Sequence, residues 1–88
     1  MKKSVHTPEY AALRSELRAF RTAAGLTQRQ LADRLNVPNS WVAKVEIGER
    51  RIDVVELCWF ADACGFGAVA AFTRLAARWG LVKPRGRQ

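Results

Sequence analysis

The sequence contains few residues of the kinds that build active sites and metal centres. Its 88 residues include one histidine and two cysteines, and Cys58 and Cys64 stand far from His6. Two thiols and a distant imidazole do not supply the four ligands of a structural zinc site. The sequence also shows no glycine-rich phosphate loop and no nucleophile spaced to meet a base. We therefore expect neither enzymatic activity nor a cofactor or metal.

Long apolar runs are also missing, which argues against a membrane span. A transmembrane helix needs about 20 predominantly apolar residues in succession, and no segment approaches that length. Residues 4–9 are polar where a signal peptide would require an apolar stretch after its basic start. We expect a cytoplasmic protein, in which the two cysteines are small core residues in a reducing compartment.

Acidic residues are scarce relative to basic ones. Eight Asp and Glu stand against fifteen Lys and Arg, so the formal net charge is +7 and the isoelectric point is near 10.5. A surplus of this size favours a polyanionic partner, either nucleic acid or an anionic membrane surface, and charge alone does not choose between them. Because 49% of the residues are hydrophobic, the chain is expected to fold as one small domain with a core.

The chain has no segment that alternates polar and apolar residues with a period of two. Apolar residues recur instead at three- and four-residue steps, so we predict an all-α fold without a sheet. Caps, glycines and prolines divide the pattern into five helices, at residues 8–24, 27–35, 38–46, 53–64 and 67–79. Residues 1–7 are predicted to form a flexible basic leader, residues 8–80 the folded domain and residues 81–88 a basic tail.

Local signals support several of these helices. Thr27 with Gln30, and Asp53 with Glu56, have the three-residue spacing of a capping box. In the last helix the predicted apolar side consists of Val69, Phe72, Leu75, Ala76 and Trp79.

The second and third helices have the composition that a close helix crossing requires. Ala32 is small enough for another helix to approach, and Asn36 tolerates a tight turn. Val42 and Val45 anchor the following helix, so that its opposite face stays free. This is the geometry of a helix-turn-helix, in which the second helix enters the major groove of DNA.

Residues 26–32 (LTQRQLA) and 42–51 (VAKVEIGERR) resemble the lambda-repressor-like (Xre/Cro) helix-turn-helix family. The similarity runs in register from near Leu13 to Gly65, about 50 residues, and is far more specific than a lone short motif. It implies a five-helix lambda-repressor-like DNA-binding domain whose helix-turn-helix is formed by helices 2 and 3.

The sequence departs from the family pattern at three places. Asn36 stands at the turn, where glycine is common, and is physically adequate there. Ile47 replaces a residue that is commonly polar, and Trp59 one that is usually small or charged. The last two changes affect surface contacts and leave the fold unchanged.

The resemblance implies that Asn39, Ser40 and Lys44 are the base-reading residues. Their chemistry agrees, since Asn can pair with adenine, Lys can reach guanine acceptors and Ser can bond several base edges. The alternatives are that Ser40 is a simple helix-start residue and that Lys44 is a solvated surface lysine.

The resemblance also implies residues that contact the DNA backbone: Gln28, Trp41, Arg50 and Arg51. Gln28 begins helix 2, the first helix of the helix-turn-helix. The two arginines lie in the loop after helix 3, the recognition helix of the motif. A capping role is the alternative for Gln28.

The family holds a structural Arg–Glu pair at the positions of Arg21 and Glu46, and we expect the same pair in this chain. Arg14 and Arg18 are interpreted as a solvated helix face. Three large apolar residues, Trp59, Phe72 and Trp79, are predicted to contribute to a dimer interface on the fourth and fifth helices, with a core role as the alternative.

The sequence therefore predicts a transcriptional regulator, a repressor, that binds a palindromic operator in double-stranded DNA as a homodimer. Alternatives with the same fold are an antitoxin with a cognate toxin and a controller of a restriction–modification operon. A protein-interaction module that has lost DNA binding is disfavoured by Lys44, Arg50 and Arg51. Binding to a membrane surface is disfavoured because the last helix has no broad charged face.

Overall fold

The computed structural model describes residues 7–81, which form five α-helices and no strand. The helices are α1 (Pro8–Ala23), α2 (Gln28–Leu35), α3 (Asn39–Ile47), α4 (Val54–Ala63) and α5 (Ala68–Arg78). Each helix boundary lies within one residue of its predicted position, and the predicted all-α class is confirmed. Apart from Thr7 and Leu81, the predicted leader and tail lie outside the described residues.

Both predicted capping boxes are present and fix where α2 and α4 begin. The Gln30 amide donates to Thr27 Oγ1 at 3.0 Å, and the Thr27 amide donates to Gln30 Oε1 at 2.9 Å. The same exchange joins Asp53 and Glu56 at 2.7 and 3.0 Å. Helix α3 differs, because its N-cap is Pro38 and no side chain caps its first amides.

The hydrophobic core lies where α1 packs on α3, α4 and α5, and where α2 packs on α3 and α4. Its largest fully buried side chains come from all five helices: Leu17, Phe20, Leu31, Val42, Val45, Phe60 and Leu75. The ring of Phe66, in the turn before α5, lies 4.4 Å from that of Phe20 between centroids. Because α3 contributes two of these buried side chains, the core fixes its rotation about its own axis.

The predicted apolar side of α5 is wrong at Val69, which is 83% exposed. Ala71 and Leu75 are buried, and Phe72 and Trp79 pack against the core in a partly buried state. At 100° per residue, Val69 lies roughly 160° around the helix from Ala71 and therefore faces away from the core.

An ion-pair cluster that was not evident from the sequence joins α5 to α1. The buried carboxylate of Glu16 accepts from Arg74 Nε at 3.1 Å and from Arg78 Nη1 at 2.8 Å. Residue 16 stands on the inward side of α1 beside Leu17, and arginines four residues apart share one side of α5. That spacing is the signal that could have revealed the cluster.

The turn between α2 and α3 depends on Asn36, which takes the left-handed conformation with φ +59° and ψ +46°. Among residues 7–81 it is the only residue other than glycine with a positive φ. The following amide, that of Val37, donates to the Ala32 carbonyl at 3.0 Å. This closure is the helix C-cap that lets α3 cross α2 closely.

No single helix in the described range is long and apolar enough to cross a membrane. Helices α4 and α5 reach that length and composition only when taken together, and they meet at a bend of 114°.

We expect Asn36→Ala to lower the free energy of unfolding by about 1 kcal/mol, because alanine tolerates the left-handed conformation less well than asparagine. Asn36→Gly should leave stability unchanged or raise it slightly, since glycine adopts this conformation freely. Urea unfolding of the two variants measures the difference. Equal destabilisation by both substitutions would contradict the role assigned to the turn.

Candidate nucleic-acid interface

Helix α3 is anchored on one side and open on the other. Val42 and Val45 are fully buried against the core, whereas Asn39, Ser40 and Lys44 are exposed. The three side chains that the resemblance assigns to base reading therefore lie together on the free side of one helix. Their hydrogen-bond donors and acceptors are exposed to solvent, where base edges could reach them.

A buried carboxylate near the end of α3 fixes this helix against α1 and α2. The Glu46 side chain is fully buried and accepts from Arg21 Nε at 2.6 Å and Arg21 Nη2 at 3.0 Å. Gln28 Nε2 donates to the same carboxylate at 3.1 Å, and Arg18 Nε lies 3.6 Å away. Arg21 Nη1 also donates to the Leu26 carbonyl at 2.9 Å. The Glu46 network, made of Arg18, Arg21, Gln28 and Glu46, thus ties three helices together.

The electrostatics of the Glu46 network follow from this geometry. The hydrogen bonds that Arg21 donates to Glu46 raise the pKa of Arg21, against the opposing effect of burial. Arg21 therefore has a structural role, and its positive charge is neutralised by Glu46 within the fold. Arg18 takes part from an exposed position, so it is more than the solvated residue that the sequence suggested.

Gln28, predicted to contact the DNA backbone, is the first residue of α2 and is half-buried. Its amide nitrogen is engaged with Glu46. Gln28 consequently couples the start of α2 to the end of α3, and its contact with phosphate stays a prediction.

The end of α3 lies close to α1 at Gly48. Gly48 is buried and has a φ of +84°. A Cβ built on it would come within 3.0 Å of Arg14 Cδ. Both the backbone conformation and the approach of α1 therefore favour glycine at the point where the chain leaves α3.

The loop after α3 is fixed on α1 through Tyr10. Tyr10 Oη accepts the amide of Ile52 at 2.8 Å, and the Arg51 guanidinium lies 5.4 Å from the Tyr10 ring centroid. Arg51 as a whole is exposed. It therefore presents a charge from a loop whose backbone is held in place.

Arg50, the neighbouring predicted contact, has a different environment. Its guanidinium lies 5.0 Å from the Trp41 ring centroid. It also forms a bidentate salt bridge with Glu56, in which Nη1 donates to Oε1 at 3.2 Å and Nη2 donates to Oε2 at 3.1 Å. It also donates to the Arg51 carbonyl at 2.8 Å. The hydrogen bond from Arg50 lowers the pKa of Glu56, and the same bond raises the pKa of Arg50. Trp41, the fourth predicted backbone contact, is half-buried beneath this arginine.

The three aromatic residues predicted to form a dimer interface differ in exposure. Trp59 on α4 is 60% exposed, and Val55, one turn before it, is similarly open. Phe72 and Trp79 on α5 are partly buried against the core, and Trp79 Nε1 donates to the Glu9 carbonyl at 2.8 Å. Trp59 is therefore the aromatic side chain with most surface left for a partner.

The cysteines are placed for packing. Cys64 is buried, which raises the pKa of its thiol to about 11 and keeps it protonated at neutral pH, and Cys58 is half-buried. Within residues 7–81, no group of three His, Cys, Asp or Glu side chains is arranged to hold a metal ion.

Comparison with known proteins identifies a common family. A helix-turn-helix domain model matches residues 12–75, which include all of α2, α3 and α4. A solved structure of an XRE-family like protein from Pseudomonas syringae pv. tomato str. DC3000 is 42% identical in sequence, with a TM-score of 0.78. The match covers 84% of this chain and 90% of that one. No curated protein shows significant similarity to the chain.

We expect Arg21→Ala to lower the free energy of unfolding by about 3 kcal/mol, because it leaves the fully buried Glu46 carboxylate without its main partner. Adding Glu46→Gln should recover part of that stability by removing the uncompensated charge. The exposed Arg29, changed to Ala, is the matched control and should cost no more than about 0.5 kcal/mol. If urea unfolding shows equal effects at Arg21 and Arg29, the Glu46 network does not anchor the recognition helix.

Proposed function

This chain belongs to the Xre-type helix-turn-helix family, and we propose that it is a sequence-specific transcriptional repressor that binds a palindromic operator as a homodimer. The observation that carries the proposal is the exposed polar side of α3, with Asn39, Ser40 and Lys44 on a helix anchored by its opposite side. A helix held in this way can insert into the major groove without reorganising itself.

Each of the three side chains contributes a different kind of contact. An asparagine amide can donate and accept at once, which matches the adenine edge, and a lysine ammonium can donate to the guanine acceptors N7 and O6. The Ser40 hydroxyl can serve either role. Since Lys44 follows Ser40 by one helical turn on the same side, the two residues address neighbouring positions along the groove.

Backbone contacts supply most of the affinity in this proposal. The net charge of +7 favours approach to DNA. Arg51 lies in a loop at the end of α3, where a phosphate is the DNA group within reach. Binding to phosphate positions the recognition helix and is insensitive to the base sequence, whereas the contacts from α3 select the site.

We propose that a second copy of the chain packs against α4 and α5, with Trp59 as the central contact. Trp59 and Val55 form an exposed apolar strip on α4, and Phe72 and Trp79 can add the surface that the core leaves open. A two-fold contact between identical surfaces places two recognition helices in a symmetric arrangement, which is why the operator is proposed to be palindromic.

Lys44→Ala is expected to weaken binding to the cognate operator by about 1–3 kcal/mol and to relax the preference at one base pair per half-site. Arg51→Ala is expected to weaken binding to all sequences alike. It should also lower the slope of log affinity against log salt by about one for each phosphate that the protein no longer neutralises. Affinities over a panel of variant operators and salt concentrations measure both effects.

The two variants are controls for each other, because each removes one positive charge. A purely electrostatic binder would respond to both in the same way. Indistinguishable behaviour would rule out sequence-specific reading by α3, and failure of the wild-type chain to bind any DNA would favour a protein-interaction module.

We expect Trp59→Ser to shift the protein from dimer to monomer, because it removes the largest exposed apolar side chain of the proposed contact. Sedimentation velocity over a range of concentrations measures the change. Ile47→Ser is the matched control, since Ile47 is similarly exposed but lies on α3, outside the proposed contact. A wild-type protein that stays monomeric at high concentration, both free and with operator DNA, would exclude the homodimer.

A further inference from the structure

The guanidinium of Arg50 is occupied on three sides by groups of the protein itself. Both of its terminal nitrogens pair with the Glu56 carboxylate, one of them also donates to the Arg51 carbonyl, and the plane lies over the Trp41 ring. Arg50 therefore links three parts of the site: the first turn of α3, the loop after α3 and the first turn of α4.

The charge of Arg50 is offset by its partner. The Glu56 carboxylate lies within 3.1–3.2 Å, so the pair carries little net charge toward a phosphate. Arg51 contrasts with it, since none of the ion pairs among residues 7–81 includes Arg51. A cation that releases counterions on binding DNA has to bring net positive charge to the phosphate, and Arg51 meets that condition better than Arg50.

The Glu56 carboxylate is itself fixed by the backbone. It accepts the Asp53 amide at 3.0 Å as one half of the capping box of α4. The salt bridge with Arg50 thus lies at the N-terminus of α4. It is bidentate, and a lysine cannot form a bidentate pair with a carboxylate.

We propose that Arg50 is a positioning residue for DNA recognition: it holds Trp41 of the recognition helix and the backbone of Arg51 against the start of α4, and it makes no phosphate contact of its own. This inference rests on the proposed function and replaces the expectation that Arg50 contacts the DNA backbone. Removal of the Arg50 side chain acts through the placement of Arg51 and of the first turn of α3.

The first test needs no DNA. A carbon-detected NMR titration of the Glu56 carboxyl should show its pKa rising toward the ordinary glutamate value in Arg50→Ala, and rising partly in Arg50→Lys. An unchanged Glu56 pKa in Arg50→Ala would overturn the pairing on which the proposal depends. Circular dichroism confirms that the variants remain helical before either test is interpreted.

The second test measures operator affinity as a function of salt. Arg50→Ala should weaken binding roughly three- to tenfold, the size expected for a few partly exposed polar contacts, and should lower the salt slope by less than Arg51→Ala does, because Arg51 keeps its charge. Arg50→Lys should also weaken binding, because it keeps the charge but not the bidentate pair. Arg51→Ala, the matched control, should lower the slope by about one. A slope lowered by about one in Arg50→Ala, together with rescue of binding by lysine, would show a phosphate contact and overturn the proposal.

Glu56→Gln separates the two roles by the sign of its effect. Glutamine keeps the capping box, since it can still accept the Asp53 amide. Glu49→Gln is the matched control, since it also removes one negative charge near the loop after α3 but its carboxylate does not pair with Arg50. If Arg50 positions the loop, Glu56→Gln binds the operator more weakly than Glu49→Gln; if Arg50 contacts phosphate, freeing its charge makes Glu56→Gln bind more tightly than Glu49→Gln. Tighter binding than in Glu49→Gln would therefore overturn the proposal.

Coupling between the two arginines completes the test. Because Arg50 is proposed to act in part through Arg51, Arg50→Ala should cost less in an Arg51→Ala background than in the wild type. Additive effects on affinity would overturn that route of action. Failure of the proposed function looks different, since the wild type would then show no sequence-dependent binding, while the Glu56 titration would still report on Arg50.

Discussion

The buried carboxylate of Glu46 is the constraint on which the arrangement of the site depends. It has no exposed surface, and its charge is balanced mainly by Arg21, with Gln28 and Arg18 completing the network. A carboxylate in such a place is stable only while those partners keep their positions. Since they belong to α1 and α2, the end of α3 cannot move without unpairing the charge, and the exposed side of α3 is held in one orientation.

The basic residues of the chain accordingly fall into two groups, those paired with carboxylates of the fold and those exposed to a partner. Arg21 belongs to the Glu46 network, Arg74 and Arg78 hold α5 through Glu16, and Arg50 is paired with Glu56. A count of basic residues therefore overstates the charge available to a polyanion. A small domain with many ion pairs can place a few cations accurately for binding, because its helices are locked by the others.

Much of the fold could be predicted from the sequence, because local signals agree with the tertiary structure. The boxes at Thr27 and Asp53 set helix starts, and Asn36 marks the turn. Such signals span three or four residues and need no knowledge of distant contacts. The all-α class followed from apolar residues that recur at three- and four-residue steps, together with the resemblance to a family.

What the sequence did not predict depends on how the helices pack against one another. Glu16 is buried because arginines about sixty positions later face it, and a charged residue on a helix is otherwise expected to be solvated. Val69 fits an apolar pattern by spacing but lies on the outer side of α5. The resemblance placed Arg50 among the contacts to the DNA backbone, while the structure pairs it with Glu56 on the first turn of α4.

Selection of bound sites from a random pool of double-stranded DNA will determine whether the exposed side of α3 reads a base sequence. We expect the selected sites to share a half-site repeated with two-fold symmetry, with centres about one helical turn of DNA, or a multiple of it, apart. Selection with Lys44→Ala should lose the preference at one base pair of each half-site. Bound sequences without any shared motif, recovered with the wild-type protein at physiological salt, would exclude base reading by α3.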